Sequence, residues 1–171
     1  SAFGNSSLFA NTTGTANVAI GESALQSNTT ASENTAVGYQ ALYATTTGNS
    51  NTATGISSLT TNTTGTQNVA DGGYALRYNT TGSYNTASGF QALQNNTTAG
   101  NNTAVGYQAL LSNTTGTPNV AIGRDASRSN TTGGDNVALG FQALYTNSTG
   151  NCNVAVGRNA LYYNTVSCNM A

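Results

Sequence analysis

The 171-residue chain contains no lysine, histidine or tryptophan, and its charged residues are four arginines and five carboxylates. The net charge of −1 leaves no basic surface for nucleic acid. Without histidine and lysine, a histidine-based triad, a histidine metal ligand and Schiff-base chemistry are all excluded. The carboxylates are scattered over different repeat positions: Glu22, Glu33, Asp71, Asp125 and Asp135. We therefore expect a protein that is not an enzyme and needs no cofactor or metal.

Long apolar segments are also missing. No run approaches the roughly 18 residues of a membrane-spanning helix, so no membrane insertion is expected. Leu, Ile, Val and Phe supply only 27 of the 171 residues, and such a composition is typical of disordered chains. The near-zero net charge and the strict spacing of the apolar residues argue against disorder.

A 17-residue period organises what is there. A glycine recurs every 17 residues from Gly4 to Gly157, and NTAVGYQAL occurs unchanged at 34–42 and 102–110. The period is too short for helical repeats of about 33 residues, and no heptad indicates a coiled coil. Small and β-branched residues with regular glycines predict short strands and tight turns. We predict one all-β domain over 1–171, a parallel β-solenoid of ten 17-residue rungs, each adding about 4.8 Å.

Two repeat positions predict the interior of this solenoid. One is alanine in all ten repeats, and another is leucine in nine of ten, with Ser127 as the exception. We expect a thin interior in which alanines stack and leucines fill the space from a facing strand. Two-sided and three-sided rungs both fit the spacing. Predicted stacking residues include Ala36, Leu42, Ala104 and Leu110.

Asparagines form two further columns. One opens each repeat and predicts a ladder of stacked amides that hydrogen-bond from rung to rung. It includes Asn34, Asn51, Asn68, Asn85 and Asn102. The other column runs from Asn11 to Asn164 and is broken at Thr45. Its members stand in glycosylation sequons, as at Asn62, Asn79 and Asn113, so they are either glycan acceptors in a secreted protein or a buried ladder.

The phrases NVAIG at 17–21 and 119–123 and NVAVG at 153–157 carry a resemblance. The chain resembles the head repeats of trimeric autotransporter adhesins and repeats of phage tail fibres, although their rung is about 14 residues. The resemblance implies a left-handed parallel β-roll, with three chains packed side by side. It also implies an extracellular location, on a cell or virion surface.

The terminal repeats look like the internal ones. Solenoids ordinarily carry atypical end repeats that block further pairing. We expect open rungs at both ends, with Phe3 and Met170 at an end-to-end interface through which copies stack into a filament. The alternative is that the chain is cut from a longer array.

The two cysteines each precede the asparagine that opens a repeat. Cys152 and Cys168 would therefore be neighbours on consecutive rungs, at a separation that a disulfide accepts. We predict a bridge that staples the last rungs in an oxidising compartment. Reduced thiols in a cytosolic protein, or a bridge between subunits, are the alternatives.

Aromatic residues follow the repeat glycine at Tyr39, Phe90, Tyr107 and Phe141. They would either pack against a neighbouring rod or bind cell-surface glycans. The column before the glycine is apolar except at Thr54, Asp71 and Ser88. These residues would line a polar pocket between chains or would be solvated.

Three functions follow from these patterns. The first is an extracellular structural fibre whose main partner is another copy of itself. The second is an adhesin or tail-fibre segment that binds glycans. The third is ice binding through threonine columns. Adjacent threonines of a strand point to opposite faces, which would leave one outward column and disfavours this third function.

Overall fold

A computed structural model describes all residues 1–171, and it is a β-solenoid built on one ten-stranded sheet. All strands are parallel, and their order in the sheet is their order in the chain. Each strand pairs with the residues 17 positions later, as in Ala19 with Ala36. The predicted fold class is confirmed. The strands are β1 Ala2–Phe3, β2 Val18–Ile20, β3 Thr35–Val37, β4 Thr52–Thr54, β5 Val69–Asp71, β6 Thr86–Ser88, β7 Thr103–Val105, β8 Asn119–Ile122, β9 Asn136–Leu139 and β10 Val154–Val156.

We number the rungs by their strands, so that rung 3 spans 34–50 and rung 10 spans 153–168. Each rung holds one strand of two to four residues, and the rest of the rung is turns and bends. The expectation that the leucine lies on a second, facing strand was wrong. Leu42 has a φ of 52° and Gln40 a φ of 55°, which are left-handed rather than extended conformations.

The turn segment is nevertheless hydrogen-bonded to both neighbouring rungs. The Gln40 N–H donates to the Glu22 carbonyl of the previous rung at 3.0 Å, and the Leu42 N–H donates to the Ser58 carbonyl of the next rung at 3.0 Å. A left-handed leucine costs about 1–2 kcal/mol. Full burial of its side chain stabilises by about 1.5–3 kcal/mol, which offsets that cost.

The core is the thin interior that the columns predict. Ala36, Leu42, Ala104 and Leu110 have no exposed surface. A second alanine column, with Ala41 as its member in rung 3, completes the apolar cluster. Thr35 and Val37 flank the buried Ala36 and are only partly buried, so the outer side of the sheet faces away from the core.

Candidate functional site: stacked ladders and exposed columns

The asparagines that open the rungs form a buried ladder, which we call the opening ladder. The Asn34 Oδ1 accepts the backbone N–H of Asn51 at 2.9 Å, and the Asn34 Nδ2 donates to the Gly48 carbonyl at 2.9 Å. Each side chain therefore bonds along the stack and also across its own rung. The predicted amide-to-amide bond is present too, since the Asn51 Nδ2 donates to the Asn34 Oδ1 at 3.2 Å. The other predicted members repeat this role: Asn68, Asn85 and Asn102.

The second asparagine column is a closing ladder near the end of each rung. The Asn79 Nδ2 donates to the Asn62 Oδ1 and to the Gly82 carbonyl, both at 2.9 Å. The Asn96 Nδ2 then donates to the Asn79 Oδ1 at 2.8 Å. This column is the amide-to-amide stack that the sequence predicts, and it fixes the turn of every rung to its neighbour.

The closing ladder is interrupted where the sequence substitutes threonine. Thr45 is fully buried, and its Oγ1 has no hydrogen-bond partner. The Oδ1 of Asn28, one rung earlier, also lacks a partner. Threonine is too short to bridge the two rungs, so one substitution leaves two buried polar atoms unsatisfied.

The sequon asparagines lie inside this ladder. Asn62, Asn79 and Asn113 are fully buried. The Nδ2 of Asn113 donates to the Asn96 Oδ1 at 3.1 Å and to the Gly116 carbonyl at 3.0 Å. Because this nitrogen is the atom that a glycan would modify, the folded rod does not offer these three residues as acceptors.

The threonine columns beside the closing ladder have separate roles. The first column, represented by Thr80, donates its hydroxyl to the carbonyl of the next rung, that of Thr97, at 3.0 Å. The second column, represented by Thr81, is exposed in nine successive rungs. Only one of the two adjacent columns thus has hydroxyls free for solvent.

The aromatic column after the repeat glycine stacks on itself. Phe90 and Tyr107 have ring centroids 5.9 Å apart and planes within 10° of parallel. The Arg124 guanidinium lies 5.7 Å from the ring centroids of both Tyr107 and Phe141, and the Arg158 guanidinium lies 5.6 Å from Phe141. Five successive rungs therefore form one stack of aromatic and cation–π contacts.

This stack limits what the column can bind. A sugar that stacks on an aromatic ring needs an open ring face, and here the faces are turned to one another or to an arginine. The rings of Phe90 and Tyr107 remain 44% and 45% exposed through their edges. Tyr39 lies apart from this stack and is 46% exposed.

A groove opens near the last rungs. It has a volume of about 500 Å³ and is lined by Gln142, Asn159, Tyr162 and Tyr163. Tyr162 stacks on Tyr145 at 4.9 Å and meets Tyr163 edge-on at 4.6 Å. Partial desolvation, followed by the neighbouring phenols of Tyr145 and Tyr163, raises the pKa of Tyr162. The groove combines amide side chains with phenols.

The outward side chains of the strands form an outer face along the rod. Its column before the glycine is aliphatic at Ile20, Val37, Val105 and Ile122, and it is polar at the centre of the rod. The Thr54 hydroxyl donates to the carboxylate of Asp71 on the next rung. Asp71 is exposed, so the polar centre is open to solvent.

Cys152 and Cys168 are the last residues of rungs 9 and 10. Both are free, exposed thiols in the structure. The Cys168 N–H donates to the Asn151 carbonyl at 2.8 Å, so the two rungs are in register at this point. Partial desolvation, followed by the adjacent Cys168 thiol, raises the pKa of Cys152. Bridging of the pair stays a prediction.

The end residues lie differently from the expectation. Phe3 belongs to the outer face and is 70% exposed, while Met170 pairs with Val154 and is 82% exposed. Both are on the side of the rod. The side chains at the two ends of the core are Leu8 and Leu161, which are only partly buried. Sequence reasoning missed them, although they are the first and last members of the leucine column.

The chain matches no protein-family model, no curated protein and no solved structure. The structure contains no helix whose length and apolarity would allow it to cross a membrane. Functional inference therefore rests on the stacked columns themselves.

Proposed function

We propose that the protein is an extracellular structural fibre protein whose solenoids stack end to end into a filament. The observation that carries the proposal is the constant register of the rungs. Pairing is offset by 17 residues from β1 to β10, so one rung offers its neighbour nearly the same backbone groups along the whole rod. A rung that accepts the next rung of its own chain therefore also fits a rung of another copy.

The two ends present complementary backbone groups. The N–H groups of Gly21 and Ser23 donate to the carbonyls of Phe3 and Asn5 on the rung before. The corresponding donors of rung 1, Gly4 and Ser6, have no backbone acceptor. At the other end, the carbonyls of Val156 and Arg158 accept no backbone hydrogen bond. Stacking one copy on another would pair these donors with these acceptors, as within the rod.

Docking requires one local rearrangement. Asn169 and Met170 already stack on rung 10, where the Asn169 N–H donates to the Asn153 Oδ1 at 2.9 Å. These terminal residues occupy the strand position that Ser1 and Ala2 of an incoming copy would take. One of the two short segments must be displaced, so we expect a variant that lacks 169–171 to assemble faster than the full chain.

Assembly can be followed by light scattering and negative-stain electron microscopy. We expect the purified chain to form long, unbranched filaments. Leu161→Arg places a charge on the end of the leucine column and should abolish them, because the guanidinium would be buried without a partner. Thr64→Arg is the matched control, since Thr64 is exposed on the side of an internal rung. Filaments from Leu161→Arg, or none from the unmodified chain, would refute end-to-end stacking.

Glycan binding, as in an adhesin or tail-fibre segment, is a second candidate function. The groove of Gln142, Asn159, Tyr162 and Tyr163 favours it, because amides can bond sugar hydroxyls beside an aromatic surface. Tyr163 is 84% exposed and offers the most open ring. On a glycan array, we expect any binding to be lost in Tyr163→Ala and kept in Tyr84→Ala, which removes an exposed tyrosine elsewhere. Equal binding by the two variants would exclude the groove as the site.

A further inference from the structure

The outer face has a pattern that is nearly symmetric about the middle of the rod. Toward the start of the chain it carries Ile20 and Val37, and toward the end it carries Ile122 and Leu139. Ile20 and Ile122 are both 43% exposed. Between these aliphatic patches lies the polar centre around Asp71, the only charged side chain of this face. The face is therefore apolar, polar and apolar along its length.

From this pattern we infer that the outer face binds the outer face of a second copy, with the two rods antiparallel. This lateral contact is separate from the end-to-end contact of the proposed filament. The two-fold axis lies between rungs 5 and 6, so each rung k faces rung 11 − k of the partner. In this register Asp71 faces Ser88, whose hydroxyl can donate to the carboxylate.

The register follows from charge and from coverage. With the axis on rung 5, Asp71 would face the partner's Asp71, and two carboxylates would be desolvated together at a cost. The same repulsion arises when the rods are parallel and in step, as in a side-by-side trimer. With the axis between rungs 4 and 5, Leu139 and Val156 would be left uncovered.

The remaining rungs agree with the chosen register. It places Ile20 against Leu139 and Val37 against Ile122, so aliphatic side chains meet on both sides of the centre. In the parallel column of the same face, Thr52 meets Thr103. The exception is Thr54, which faces Val105. All ten rungs are covered, which no other register without an Asp71 pair achieves.

The size of the face sets the strength of this contact. Ten rungs at about 4.8 Å and three strand residues at about 3.3 Å give about 48 Å by about 10 Å. This area of about 480 Å² per copy is below the roughly 800 Å² per partner of a standard interface. Association should therefore be reversible and should depend on protein concentration.

Cross-linking between two single-cysteine chains tests the arrangement. Val37→Cys and Ile122→Cys are made separately in a Cys152→Ser, Cys168→Ser background, and one chain carries a mass tag. The mixture is treated with a short bis-maleimide. Antiparallel pairing predicts cross-linked heterodimers only, because rung 3 faces rung 8. Cross-linked homodimers would show a parallel arrangement, and no dimer at the highest soluble concentration would show no contact. Either result overturns the proposal.

A matched pair of charge substitutions tests the register. Thr54 and Ser88 both flank Asp71 within the chain, at equal distance along the column. Ser88→Arg should tighten the dimer about tenfold in sedimentation equilibrium, since each arginine meets the partner's Asp71. Thr54→Arg should weaken it at least as much, because it meets Val105. The reverse order of affinities would contradict the register, and circular dichroism checks that both variants are folded.

Discussion

At the scale of single residues, each repeat position has one physical task, and the exceptions show what that task is worth. Ser127 replaces the core leucine, is fully buried, and its hydroxyl has no partner. Thr45 replaces an asparagine of the closing ladder and leaves two polar atoms unsatisfied. An unsatisfied buried polar group costs about 1–3 kcal/mol. The exceptions are therefore sites where the repeat consensus should stabilise the protein.

Thr45→Asn is the clearest such change. The new amide would donate to the Asn28 Oδ1 and accept from the Asn62 Nδ2, as its counterparts do one rung apart elsewhere. We expect a gain of about 2 kcal/mol, seen as a higher midpoint of urea denaturation. Thr47→Asn is the control, since Thr47 is exposed and should change stability little. An unchanged or lower midpoint for Thr45→Asn would mean that this ladder does not stabilise the rod.

At the scale of the rung, the repeat glycine decides how closely two turns approach. Gly72 has a φ of 130°, and a Cβ there would lie 2.7 Å from the carbonyl carbon of Gly89. Backbone atoms cannot yield at that distance without separating the rungs. The adjacent Gly73 differs, because a Cβ there would meet only side chains, Ile56 at 3.2 Å and Phe90 at 3.3 Å.

The two neighbouring glycines therefore make a matched pair of variants. We expect Gly72→Ala to destabilise the protein by about 3 kcal/mol or more, because backbone strain and a backbone clash combine. Gly73→Ala should stay within about 0.5 kcal/mol of the unmodified chain. Thermal unfolding followed by circular dichroism compares them directly. Equal losses would show that the 17-residue glycine is not a stacking constraint.

The last two rungs carry a prediction of their own. Oxidation of Cys152 and Cys168 should form one intramolecular disulfide, measured as a mass loss of two hydrogens and as resistance to alkylation. Because the pKa of the Cys152 thiol is raised, its thiolate is scarce at neutral pH, and oxidation should accelerate as pH rises through that pKa. Complete alkylation of both thiols after oxidant treatment, without reduction, would exclude the bridge.

At the scale of the whole molecule, periodicity predicts the fold because every rung solves the same packing problem. Ala36, Leu42 and Asn34 are buried where their columns place them. The pattern could not show that the leucine segment is a turn, because positive φ at Leu42 or Gln40 leaves no mark in residue type. It also could not separate the side of the rod from its ends, so Leu8 and Leu161 were missed.

The same limit applies to the surface. The aromatic column is visible in the sequence as Tyr39, Phe90, Tyr107 and Phe141. That its faces are closed by Arg124 and Arg158 depends on the spacing between rungs and on side-chain rotamers. A sequence column predicts which residues are neighbours, but not which surfaces of those residues remain free for a ligand.

The central claim is that copies of this solenoid continue one another's rungs, and cryo-electron microscopy of the purified protein tests it most directly. The account predicts filaments with an uninterrupted axial spacing of about 4.8 Å and a longer repeat of about 48 Å, one copy of ten rungs. Discrete rods about 48 Å long at every concentration, with no continuous axial spacing, would contradict it.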